Sequence, residues 1–120
     1  MESENNNFIN ELIDKFPDLN QLYLEHIEEN DCLLTYVFLA RVTDNFIDKI
    51  NTQQMQYVKD FLQFMEEKFS TGNDEIRSLI SLGVLENLIG EKYLISDVFN
   101  LLGKNLKSEF LTLTNSTRNL

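Results

Sequence analysis

Residues 33–50 read LLTYVFLARVTDNFIDKI, and this stretch decides how the chain is read. Its first ten residues carry one charge, Arg41. The apolar set Leu33, Leu34, Val37, Phe38, Ala40, Val42, Phe46, Ile47 and Ile50 nearly encircles a helix at its front end, then narrows to one stripe. A helix that is apolar all round is a buried one. The expectation is therefore an all-α protein in which helix 33–50 lies at the centre and every other helix packs on it.

Working outward, Phe8, Ile9, Leu12, Ile13 and Phe16 follow the three-or-four spacing of a first helix, preceded by a loose polar tail, 1–7. Pro17 ends that helix by pushing the residue before it out of the helical region. Asp18 then stands as N-cap of a second helix whose inner face is Leu19, Leu22, Tyr23 and Ile27. After the central helix, Asn51 or Thr52 can cap a long fourth helix reaching Ser70, with Met55, Val58, Phe61, Leu62, Met65 and Phe69 inside and Glu66 and Glu67 outside. Gly72 marks its stop and Asn73 caps the fifth, which runs to Gly90 with Gly83 at a close helix crossing. GEKYL (90–94) is a loop or a partial turn, Ser96 can cap a sixth helix interrupted near Gly103, and 115–120 form a second loose tail. The outcome is one domain, 1–120, of about six helices, either a bundle or a short HEAT-like stack of hairpins.

Composition narrows the function classes. The chain has 120 residues, 42% hydrophobic and 25% charged, enough for one core without disulfide or metal. It lacks a long uncharged apolar run, and MESENNNF is acidic where a secretory signal needs positive charge, so a cytoplasmic location is expected. The net charge of −10 is concentrated at the front. Residues 1–31 hold nine acids against Lys15, a net of −8; the rest of the chain holds eleven against nine bases. Such a field repels nucleic acid and anionic membrane and speeds encounter with a basic protein.

Chemistry is sparse. His26, the one histidine, stands beside Glu25 and Glu29 without the partners a metal site needs, and reads as a surface or boundary residue. Cys32 reads as a small buried hydrophobe. The four glycines are scattered, so there is no phosphate loop. Tyr36, Tyr57 and Tyr93 each read as a boundary packing residue or an interface anchor, with packing the favoured reading. No nucleophile with its base and no cofactor motif is recognisable, so the expectation is a protein that binds rather than catalyses, with no cofactor and no metal.

FPDL (16–19), the run from Val37 to Phe46 and GVLENL (83–88) give the chain a family likeness. It resembles small, acidic, all-helical bacterial proteins of unassigned activity, and through them the immunity proteins of contact-dependent growth inhibition and related toxin systems. The resemblance implies a cytoplasmic protein that binds a basic toxin domain, typically a nuclease, in a one-to-one complex without turnover. It carries over no binding residue. Those come from charge and spacing: Asp14, Asp18, Glu25, Glu28, Glu29 and Asp31 as the main acidic patch, with Asp44 and Asp48 as neighbours. The alternative is an adaptor or secretion chaperone gripping its partner through an exposed apolar surface.

Overall fold

The computed structural model describes residues 4–89 and 95–118 and is all-α among them. Helices α1 (Glu4–Lys15), α2 (Leu19–Asn30), α3 (Thr35–Asn51) and α4 (Met55–Thr71) are followed by α5 (Asp74–Ile80), which continues through a π-helical turn, Ser81–Leu85, into α6 (Glu86–Ile89). Then come α7 (Ile95–Leu101) and α8 (Lys104–Arg118). The molecule measures 36 × 32 × 27 Å, a rounded bundle rather than an elongated stack of hairpins.

One connected core runs through these elements. Helix α1 buries Phe8, Ile9 and Leu12, and Phe16 is buried just past its end. The helix docks on α5, and the Phe16 ring meets Tyr57, Phe61 and Phe64 of α4 at 5.1, 5.7 and 5.9 Å. Pro17 follows as the break. Helix α3 buries Phe38, Leu39, Val42, Thr43 and Phe46 against α2, α4, α5, the π turn and α6. Its Phe46 ring stacks on Phe61 at 4.4 Å. The central role of α3 thus holds, with a correction: α1 makes its main contacts with α5, and α8 with α4, rather than both resting on α3.

A second correction concerns the character of α3. It is not apolar all round and buried; Leu34, Tyr36 and Val37 are 42%, 45% and 50% exposed. At roughly 100° per residue, Val37 falls opposite the centre of the buried arc, so the uncharged front end is amphipathic by geometry although not by charge.

Several local expectations change with the packing. Helix α1 starts at Glu4 and α8 runs to Arg118, so residues 4–7 and 115–118 are helical and not loose tails; 1–3 and 119–120 lie outside the described residues. Asp18 makes no side-chain cap bond; its carboxylate turns toward α3 instead. Helix α3 absorbs Asn51, and the link to α4 is a turn in which Gln53 takes a left-handed φ of 59°. Asn73 does cap α5, its Oδ1 accepting from the Ile76 amide at 3.0 Å. Gly72 stops α4 in extended backbone, φ −82°, so it is crowding that selects glycine: a Cβ would stand 2.5 Å from the Lys68 carbonyl oxygen. Ser96 lies inside α7 rather than ahead of it, so it is not the N-cap. Residues 90–94, expected as a loop and including Gly90 and Tyr93, lie outside the described residues.

Glu66 belongs to the fold rather than to the solvated surface. Its Oε1 accepts from the backbone amides of Asn105 and Leu106 at 3.1 and 3.0 Å, so a carboxylate from α4 caps α8 where its unpaired N–H groups and positive dipole end favour an anion. His26 and Cys32 exchange roles. Cys32 is exposed, and His26 is fully buried. The His26 Nε2 accepts from the Leu34 amide at 2.9 Å, its Nδ1 lies 3.2 Å from the Asn30 side-chain amide, and its ring meets that of Phe38 at 5.7 Å. The histidine therefore fastens the end of α2 to the start of α3.

Candidate functional site

The acidic residues of α2 recur at seven and eleven from Asp18, which puts Asp18, Glu25 and Glu29 along one edge of that helix with Leu22 between. On α3 the same spacing aligns Arg41, Asp44, Asn45 and Asp48. The two edges meet. Arg41 reaches Glu25 at 3.6 Å and donates to Glu29 at 3.2 Å, while Asp18 accepts from Asn45 at 3.4 Å and pairs with Lys49 at 3.8 Å. The early part of α3 faces the late part of α2, so the helices are antiparallel.

Leu22, Arg41, Asp44, Asn45 and Asp48 line a depression along this seam. Five carboxylates, Asp18, Glu25, Glu29, Asp44 and Asp48, stand along it against two cations, Arg41 and Lys49. Among the described residues no cation pairs with Asp44 or Asp48. Carboxylates outnumber cations along the seam, and Arg41 offsets part of that charge at its Glu25–Glu29 end.

The eight acids proposed from the sequence thus divide. Asp18, Glu25, Glu29, Asp44 and Asp48 are brought together. Asp14 is exposed on α1, and Glu28 is exposed on α2, turned roughly 80° around the axis from the Asp18–Glu25 edge. Asp31 sits in left-handed backbone, φ 63°, where its amide bonds the Ile27 carbonyl and ends α2. Its position is set by the helix stop.

Beneath the seam, the Asn45 amide lies 3.4 Å from the Tyr57 hydroxyl. Burial pushes the Tyr57 pKa well above its ordinary 10.0, and the charge of Asp18 and a bond to its carboxylate raise it further. The sign follows: the folded state favours the protonated phenol, so its contribution is fully present below about pH 10 and fades as pH rises above that. Denaturant midpoints measured from pH 9 to 11.5 should fall with pH, and Tyr57→Phe should flatten the decline. Parallel curves for the two proteins would remove Tyr57 from the account.

Among the described residues, no group of three or more His, Cys, Asp or Glu side chains is arranged to hold a metal, and no helix is long and apolar enough to cross a membrane. A family model described as "Domain of unknown function (DUF7674)" matches residues 9–117. The chain belongs to this family. No curated protein and no solved structure matches it. The matched range spans α2, α3 and the π turn.

The features that sequence reasoning missed are the exposed front of α3 and the buried His26. A signal for the first was present: strict helical periodicity, counted from Phe38, Val42 and Phe46, leaves Val37 on the far side. For His26 there was none, since its partner is a backbone amide eight residues away.

Proposed function

We propose that this DUF7674 protein is a stoichiometric binding protein for a basic protein domain, and specifically an immunity protein that neutralises a nuclease toxin by covering its substrate cleft. The observation that carries the reading is the antiparallel α2–α3 pair with five carboxylates against two cations along its seam, in a chain of net charge −10. A nuclease must hold a polyanion and is basic at its cleft, so a rigid row of carboxylates can occupy the phosphate positions. Nothing in this mechanism turns over; occupancy is the effect. The rigidity comes from the core beneath, where Phe38, Leu39, Val42 and Phe46 hold α3 in place.

The test is co-expression with the basic C-terminal domain of any large secreted protein whose gene is found to adjoin this one, scored by rescue of growth and by a one-to-one complex. Asp44→Lys with Asp48→Lys should slow association about tenfold at low salt, with the gap to wild type closing as salt is raised, because steering is screened beyond roughly 10 Å at 0.1 M. Growth that is not rescued by the unaltered protein, for any basic domain so encoded, sinks the reading. An adaptor or chaperone is the second reading, favoured by the exposed Leu34, Tyr36 and Val37; it expects the double substitution to leave binding unchanged.

A further inference from the structure

The outer side of α3 combines two chemistries that the acidic seam alone does not. Val37, Ala40, Asp44, Ile47 and Asp48 succeed one another at steps of one to four residues that keep them on one side of the helix, opposite the buried arc of Phe38, Val42 and Phe46. Its front end is apolar, with Val37 and Tyr36 about half exposed and Leu34 beside them. Its rear end is acidic. Glu25, Glu29 and Asp18 already face Arg41 and Lys49, whereas Asp44 and Asp48 meet no cation among the described residues, so the unbalanced charge of the seam sits here.

We infer that this face, from Leu34 to Asp48, and not the Glu25–Asp31 end of α2, is the centre of contact with the partner, and that it takes a protein segment bearing an apolar anchor and Lys or Arg on one side. The inference rests on the reading of the partner as a basic protein. Seven to eleven helical residues separate Val37 from Asp44 and Asp48, or about 10–16 Å. The cations of the partner therefore lie that far from its anchor, two to three turns along a helix. Tyr36 and Val37 supply the desolvated contact where binding energy concentrates, and the carboxylates supply orientation and speed. A second copy of this chain is disfavoured by charge: every copy carries −10, so two copies repel one another. Nucleic acid and anionic lipid are repelled.

The test uses the full chain, 15N-labelled, titrated with a synthetic amphipathic peptide of repeated Leu-Lys-Lys-Leu and, separately, with a lysine-only peptide of equal length. Amide signals of residues 34–48 should move with the first peptide, which should bind about tenfold tighter than the second. Val37→Glu should weaken it about tenfold, while circular dichroism and thermal midpoint stay unchanged because the position is exposed. The inference is overturned by shifts centred on residues 25–31, by equal binding of the two peptides, by an unaltered affinity of Val37→Glu, by no shift at about 1 mM peptide, or by sedimentation showing a dimer that Val37→Glu dissociates. Its failure is separable from that of the functional reading. A toxin neutralised equally well by Val37→Glu removes this face and leaves the immunity role. A peptide seated on 34–48 with no basic domain neutralised does the reverse.

Discussion

Gly83→Val should destabilise the protein by about 3 kcal/mol, near the upper end for forcing extra carbon into a packed core, and lower its thermal midpoint by roughly 10 °C. Gly83 lies in the π turn where it crosses α3. A Cβ there would stand 2.7 Å from Leu39 Cδ1 and 3.2 Å from Leu39 Cβ, and Leu39 is fully buried. The crossing is also bonded: the Gly83 carbonyl accepts from the Thr43 hydroxyl of α3 at 3.4 Å, and from the Asn87 side-chain amide of its own helix at 2.8 Å. Valine would have to separate the two helices and stretch the Thr43 bond. Gly83→Ala sharpens the test by its sign. In an open helix alanine gains about 1 kcal/mol over glycine, whereas at this crossing the Leu39 clash should reverse that gain into a loss. Chemical denaturation of the three proteins decides it. An alanine variant more stable than wild type would show that the crossing has slack.

That crossing was legible in the sequence because a glycine within a long apolar helix weakens the helix unless a neighbouring backbone comes too close for a side chain. The helix breaks at Pro17 and Gly103 and the cap at Asn73 were legible on similar grounds: each rests on the chemistry of one residue and its immediate neighbours. Expectations that needed knowledge of a distant partner went otherwise. Asp18 has the composition of a helix cap, yet Asn45 and Lys49 of α3 draw its carboxylate away. Glu66 has the spacing of a solvated residue, yet the start of α8, some forty residues on, needs its oxygens. The acidic patch was partly visible. Its residues were identifiable by type, but which of them gather depends on how α2 and α3 face one another, and the cation that offsets Glu25 and Glu29 comes from the other helix. Hydrophobic content alone also misjudged Val37, since a helix front without charges can still present one side to water.

His26→Leu should cost about 2–3 kcal/mol, although leucine nearly matches the ring in size and would ordinarily suit a buried site. The cost comes from the partner left behind. The Leu34 amide, which now donates to Nε2 at 2.9 Å, would lose its acceptor at the point where α3 begins, and an unpaired donor in a partly buried site costs about 1–3 kcal/mol. The ring's packing against Phe38 would also be lost. Because the chain passes from α2 to α3 through residues 31–34 alone, the effect should appear locally before it appears globally. Hydrogen exchange at residues 34–38 should quicken by more than at the centre of α4, where Phe61 and Leu62 lie deep in the core. His26→Gln is the control, since its amide oxygen restores an acceptor; it should recover part of the stability and most of the local protection. Equal losses in the two variants would mean that ring packing, and not the bond to Leu34, is what the histidine contributes. The outcome bears on function as well, because the segment that His26 fastens is the one that carries Leu34, Tyr36 and Val37 into solvent.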